Sequence, residues 1–283
     1  MSTQTGTPTG TEHVRRQNIA LILRSLRTEG PATRTELARR TGLAKATVGT
    51  IVGDLGAGGA VGEDDSVSTG RGRPGRPVTL TGESIIGLGF EVNVDYIAAV
   101  ALDLAGNVKL IDTRLVPPGQ PPTADLLMRV AGETRDGLIA QGNTVVGATV
   151  AVPGLVSHDS RTIVWAPNLG WNDVDLADKL ELEVGGVCPT TIDNDANSAA
   201  LAEAAHGVST GAASSLYLTG TVGIGAGIVQ DGRLLRGGSG FAGEVGHMPI
   251  GDPSAVCGCG RLGCWEASIG LRGMLRGVGM AEE

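Results

Sequence analysis

The sequence predicts a two-part α/β chain, with a small helical module at the N-terminus and a larger body of alternating strands and helices behind it. Charge is one sign of the division: Met1 to Leu80 carry 11 basic and 7 acidic residues, net +4, whereas the remainder carries 11 and 23, net −12. Apolar periodicity is another. It is helical up to Leu55, and from Ile85 onward apolar residues gather in short strand-like runs between turn residues. The length of 283 residues accommodates a small domain and a larger one. The expected boundaries are a disordered tail over 1–12, the helical module over 13–80 and the body over 81–283.

In the module, RQNIALILRSLRTEG places Ile19, Ile22, Leu23 and Leu26 at i, i+3, i+4 and i+7, a helical stripe ended by Gly30-Pro31. Thr33-Arg34-Thr35-Glu36 has capping-box spacing and launches a short helix, ELARR, which stops at Thr41-Gly42. After a tight turn, AKATVGTIVGDL sets Val48, Ile51, Val52 and Leu55 on one face. This order is that of a helix-turn-helix, whose second helix fits the DNA major groove. Lys45, Ala46 and Thr50 then face outward, and Lys45, Thr47 and Thr50 offer polar atoms to base edges. Arg71, Arg73 and Arg76 alternate with Gly and Pro in RGRPGRP, an extended run slim enough for a minor groove, as in the wing of a winged helix-turn-helix. The alternative is a dimerisation or linker bundle followed by a solvated hinge. Cap, turn, stripe and basic run in that order weigh toward double-stranded DNA.

In the body, IIGLGFEV, YIAAVALDL and VKLIDTRLV read as an antiparallel meander. VPPGQPPTAD leads to an amphipathic helix near Ala124 to Gln141 and then to the strand TVVGATVAV, followed at once by Pro153-Gly154. PTTIDNDANSAALAEAAHG is a strand whose polar end caps a helix, and SSLYLTGTVGIGAGIVQDGRLLRGG is a strand, a glycine loop and a hairpin. The opening MSTQTGTPTGTEH lacks the apolar centre of a signal peptide, and no run approaches the roughly 18 apolar residues of a membrane span, so a cytoplasmic, membrane-free chain is expected.

Three of the four cysteines fall within CGCGRLGCWE. Cys257, Cys259 and Cys264 with His247 form a Cys3His set that satisfies tetrahedral zinc with no open position, as in structural sites. Reduced core cysteines or a disulfide are the alternatives, the latter disfavoured without a secretion signal. Cys188 stands apart and is expected in the core.

The stretch LTGTVGIGAGIVQDGRLLRGGSGFAGEVGH, with DNDANSAALAE before it, CGCGRLGCWE after it and APNLGW at Ala166 to Trp171, closely resembles the ROK family of sugar kinases and sugar-responsive repressors. The resemblance runs from about residue 81 to the C-terminus, and the helix-turn-helix in front is similar to the repressor branch. It implies an actin-like, ribonuclease-H-like two-lobe fold with a sugar in the cleft, held by Asn168, Asn194, Asp195, Glu244, His247 and Glu266. In kinase members the counterpart of Asp195 is the general base, which keeps an ATP-dependent, glucokinase-like enzyme with an appended DNA-binding domain as the alternative function. The second phosphate loop, with Gly220, Thr221, Gly223 and Gly225, is largely intact. The first departs from Asp-x-Gly-x-Thr and reads Glu91-Val92-Asn93-Val94-Asp95. Asn93 brings a Cβ where backbone must approach phosphate. A carboxylate at Asp95 would oppose phosphate by roughly 1 to 4 kcal/mol at effective dielectric constants of about 80 to 20. ATP is therefore expected to bind poorly. Family members continue past the helix near Glu266, so the resemblance implies that this C-terminal portion is missing, either from a truncated product or from a partial sequence. The expectation is a sugar-responsive repressor that binds operator DNA as a homo-oligomer, with the sign of the sugar response open.

Overall fold

The computed structural model describes residues 10–63, 75–185, 188–220, 223–238 and 240–280. They divide into two compact units, one comprising the chain through Gly87 with 100–110 and 137–146, the other 88–99, 111–136 and the chain from Gly147 onward.

The first unit contains α1 (Gly10–Glu29), β1 (Ala32–Thr33), α2 (Arg34–Thr41), α3 (Lys45–Ala57), β2 (Val61–Glu63) and β3 (Pro77–Leu80). The capping box is formed: Glu36 N donates to Thr33 Oγ1 at 3.3 Å and Thr33 N donates to Glu36 Oε2 at 3.1 Å. Gly42 ends α2 with φ of 71°, the left-handed conformation that favours glycine. The three helical stripes meet in one core of Ile22, Leu26, Leu37, Val48, Ile51 and Val52, with Val61 and Val78 from the antiparallel sheet β1-β3-β2. Gly10 to Glu12, expected in a disordered tail, are helical. The first turns of α1 carry an i,i+4 ion pair, Arg16 to Glu12 at 2.6 Å, which supports the earlier start. Residues 1–9, Arg71 and Arg73 lie outside the described residues.

The body follows with β4 (Ile85–Val92), β5 (Tyr96–Asp103), β6 (Val108–Leu115), α4 (Ala124–Ala140) and β7 (Thr144–Val152). Alternation in β4 and β5 buries Ile86, Leu88, Phe90 and Val92, then Ile97, Ala99, Ala101 and Asp103. Asp103 is tolerated there because Asn107 donates its backbone N–H at 2.8 Å and its side-chain amide at 2.9 Å, with Lys109 Nζ at 3.5 Å.

Next come β8 (Leu155–Val156), β9 (Thr162–Ala166), a 3-10 turn (Pro167–Leu169), β10 (Trp171–Asp175) and α5 (Ala177–Glu183), which sequence patterning does not reveal. They lead into β11 (Thr190–Asn194), α6 (Asp195–His206), β12 (Ser214–Gly220), β13 (Ile224–Gln230) and β14 (Arg233–Leu234). The main sheet runs β11-β7-β4-β5-β6, with β11 parallel to β7. The β13–β14 hairpin turns at Asp231-Gly232, both with positive φ as a type I′ turn requires. A 3-10 turn (Val245–His247), α7 (Trp265–Ile269) and α8 (Leu271–Gly277) complete the order. No described helix is long and apolar enough to cross a membrane.

Helix α6 packs on β12 and β13. A Cβ added to Gly227 would lie 2.5 Å from Ala200 Cβ and one on Gly225 would lie 3.2 Å from Ala196 Cβ, so small residues on both surfaces permit this approach. Gly225, expected in a phosphate loop, thus has a packing reason to be glycine.

Candidate ligand cavity and metal centre

A cavity of about 770 Å3 opens in the second unit, and all six side chains of the expected sugar set line it. Two come from the β11–α6 junction. Asn194 is the N-cap of α6: its Oδ1 accepts from Asn197 N at 3.1 Å, while its Nδ2 donates to Gly154 O at 3.2 Å. One side chain thus caps a helix and braces the turn after β7. Asp195 Oδ1 accepts from Ala196 N at 2.9 Å. Burial raises the Asp195 pKa above the ordinary carboxylate range, the Ala196 bond opposes this, and the charge of Glu91 adds to the rise.

The other four come from the turns and from α7. Asn168 is exposed on the 3-10 turn after β9. The Glu244 side chain is 41% exposed, and its pKa is raised by partial burial, lowered by His247 and raised again by Asp195 and Glu266. Glu266 Oε2 accepts from Ile224 N at 2.9 Å, while its Oε1 lies 3.7 Å from Cys257 Sγ. Three carboxyls, two carboxamides and an imidazole on one concave surface form a donor and acceptor array suited to a polyhydroxylated ligand.

His247 joins the cavity to the cysteine cluster. Its Nδ1 lies 3.7 Å from Cys257 Sγ, and its Nε2 faces Glu244 Oε2 at 4.0 Å. Cys259 Sγ and Cys264 Sγ are 3.7 Å apart, and all four candidate ligand atoms lie within 4.8 Å of one another. A tetrahedral ion with bonds of about 2.3 Å to sulfur needs sulfurs about 3.8 Å apart, so donor type and spacing suit a bound metal. The same separation excludes a disulfide, whose sulfurs stand about 2.05 Å apart, and all the cysteines are free. Burial pushes the Cys257 thiol up to about 12; against burial, hydrogen bonds from Arg261 bring Cys259 down to about 6. Cys188 is buried apart from the cluster, as expected.

The first phosphate-loop position differs from expectation in one respect. Asn93 and Val94 line the cavity, but Asp95 is exposed and is not among the lining residues. Asn93 N donates to Tyr96 O at 2.9 Å, closing a tight turn between β4 and β5 that carries Asp95 outward. Negative charge acting on Asp195 comes from Glu91. Asn93 itself is tied down: Val94 N donates to its Oδ1 at 2.7 Å, its Nδ2 donates to Tyr96 Oη at 3.3 Å, and Tyr96 Oη donates to Glu91 Oε1 at 2.6 Å. In the second loop Gly223 and Gly225 line the cavity, whereas Gly220 is exposed and not among the lining residues, and Thr221 lies outside the described residues.

In the first unit Lys45, Ala46 and Thr50 are exposed on α3, Thr47 is half-buried, and Arg76 is exposed just before β3. Thr50 Oγ1 donates to Ala46 O at 3.2 Å, leaving its acceptor lone pairs outward.

The sequence matches the family described as ROK family over residues 87–283. It is 32% identical over 273 residues to the xylose repressor of Bacillus subtilis (strain 168), an alignment covering 95% of this chain and 70% of that protein. Among solved structures, the fold matches a ROK family transcriptional regulator, a homolog of the E. coli MLC protein, with a TM-score of 0.80, 25% identity and coverage of 94% of this chain and 67% of that one. It also matches a ROK family glucokinase from Streptomyces griseus in complex with glucose and AMPPNP, with a TM-score of 0.58, 31% identity and coverage of 68% and 59%.

Proposed function

This chain belongs to the ROK family, and from that premise we propose that it is a sugar-responsive, DNA-binding transcriptional repressor. The observation that carries the reading is the convergence of Asn168, Asn194, Asp195, Glu244, His247 and Glu266 on one cavity, in a chain that also has a basic three-helix module. The similarity to a xylose repressor along 95% of the chain, against 68% for the glucokinase structure, supports the repressor branch.

The module through Leu80 acts as a winged helix-turn-helix. Helix α3 enters the major groove with Lys45, Ala46, Thr47 and Thr50, and the run of Arg71, Arg73 and Arg76 reaches a minor groove, where arginine meets negative potential. Two such modules in a homo-oligomer read paired half-sites. In the body, residues 81–283, the carboxyl groups of Asp195, Glu244 and Glu266 accept hydrogen bonds from sugar hydroxyls while Asn168 and Asn194 both donate and accept. Sugar that binds one conformation of the chain better than another shifts the population, and DNA affinity follows.

Zinc is the ion the cluster fits: His247, Cys257, Cys259 and Cys264 would hold it, and it would supply a structural cross-link rather than chemistry. His247 Nδ1 faces the cysteines, so its ring is fixed with Nε2 turned toward Glu244 and the cavity.

The kinase alternative rests on Asp195, a half-buried carboxyl with a raised pKa at the start of a helix, as a general base requires. Two observations count against phosphate binding: Asn93 is bonded into the Glu91–Tyr96 network, and Glu266 already takes the Ile224 amide of the glycine loop. The test is fluorescence anisotropy of upstream DNA at fixed salt with a panel of sugars, beside a coupled assay for ADP release. A sugar-dependent shift of DNA affinity without ADP release supports the repressor. Sugar-dependent ADP release that disappears in Asp195→Ala replaces it with the kinase.

A further inference from the structure

The six polar side chains suffice for one sugar ring, and the cavity exceeds one ring. Its volume of about 770 Å3 lies in the upper part of the roughly 300–1,000 Å3 of small-ligand sites, large for a single ring. The chain has only two Phe, three Trp and two Tyr, and two of these residues stand among those lining this cavity while exposed: Trp165 is 38% exposed and Phe241 41%. Trp171, by contrast, is buried with its indole N–H donating to Pro122 O at 3.1 Å, the usual state of a tryptophan in a folded chain.

Both exposed rings are anchored beside the polar set. Trp165 stands three residues before Asn168, and Phe241 three before Glu244. Trp165 is held in β9 with Leu155 and Asn172 as its strand partners. A Cβ on Gly154 would lie 2.6 Å from Trp165 O, so only glycine allows this approach, and the same Gly154 accepts from Asn194 Nδ2. Phe241 rides a loop closed by Ala242 N donating to Arg236 O at 3.0 Å. An aromatic face carries negative quadrupole charge and is apolar, which complements the C–H face of a pyranose ring.

We propose that Trp165 and Phe241 form a second sugar-ring subsite, so that the ligand of this cavity is a glycoside of at least two rings. This rests on the sugar-sensor reading above and names its ligand class.

The test is titration calorimetry of the full chain with matched pairs: xylose and xylobiose, glucose and cellobiose, glucose and maltose. One disaccharide is expected to bind about tenfold or more tighter than its monosaccharide. Trp165→Ala is expected to weaken that disaccharide by about tenfold and the monosaccharide by less than about threefold, with Trp165→Phe recovering most of the loss. Phe241→Leu supplies a second variant with a milder change of shape, and iodide quenching of Trp165 fluorescence, read against Trp165→Phe, falls on disaccharide binding if the subsite exists. Equal affinity for monosaccharide and disaccharide overturns the subsite and leaves the sensor standing; so does equal weakening of both in Trp165→Ala. Failure of every carbohydrate to bind overturns both.

Discussion

Replacing Arg236 with methionine removes a guanidinium from Asp193 while keeping most of the side chain's length. Arg236 donates Nη1 to Asp193 Oδ1 at 3.1 Å and Nη2 to Asp193 Oδ2 at 2.5 Å, a two-pronged pair. The Asp193 side chain is 11% exposed and that of Arg236 32%. Breaking a buried pair on one side costs about 3–5 kcal/mol, whereas an exposed pair contributes about 0–1. Asp193 keeps two donors, Asn194 N at 2.9 Å and Asn197 Nδ2 at 3.4 Å, and water reaches the arginine side. The cost is therefore roughly 2 kcal/mol, equivalent to about 4–8 °C in melting temperature for a domain of this size. The pair also links two parts of the cavity: Asp193 precedes Asn194 and Asp195, and Arg236 O holds Ala242 two residues before Glu244. Arg236→Met should accordingly weaken sugar binding, by about tenfold if the two parts lose register. Arg236→Lys, which keeps the charge without the fork, should recover part of both. Scanning fluorimetry and calorimetry read the two effects. An Arg236→Met protein that melts within about 1 °C of the parent and binds sugar equally refutes the reasoning.

Other outcomes follow from the same geometry. Burial would raise the Asp103 pKa, but the bonds from Asn107 and the charge of Lys109 outweigh it and hold the pKa low. Its contribution is complete above the ordinary aspartate value of about 3.9 and disappears as pH falls through the lower folded value. Asp103→Ala should thus cost about 1.5–3 kcal/mol near neutrality, and its melting curve should converge on the parent's in acid. Asp195 has the opposite sign. Its raised pKa favours the protonated form, a contribution present below the unfolded value and lost as pH rises through the folded one. Asp195→Asn should therefore raise the melting temperature of the sugar-free chain near neutrality while weakening sugar by about tenfold or more, and the parent's sugar affinity should decline on acidification. Elemental analysis should find one zinc per chain, lost in Cys264→Ser together with a fall in melting temperature.

Much of this was legible in sequence because local chemistry repeats at fixed spacing. The Thr33–Glu36 box, the stripes through Ile22 and Ile51, the Asn194 cap and the Cys-His cluster all depend on neighbours a few residues away or on a motif read as a unit. Elements defined by distant partners were not legible. The two-residue β1 exists only because Ala32 and Thr33 pair with Val78 and Pro77, and two residues carry no alternation. Asp193 and Arg236 meet across 43 positions, and no local pattern announces the pair. The expected position of Asp95 failed for a related reason. Which residue of Glu91 to Asp95 faces the cavity depends on where the hairpin closes, and closure from Asn93 N to Tyr96 O turns Asp95 outward and leaves Asn93 and Val94 on the lining.

The proposed repressor couples sugar held at Asp195 to DNA binding by the basic module. The most direct measurement is the affinity for upstream operator DNA, by fluorescence anisotropy at one salt concentration, as sugar is titrated, for the parent and for Asp195→Asn. Sugar is expected to change the parent's specific DNA affinity by about fivefold or more, and Asp195→Asn is expected to need about tenfold or more sugar for the same change, both proteins binding the sugar-free operator alike. An equal sugar dependence in the two proteins, or no specific DNA binding by either, contradicts this coupling.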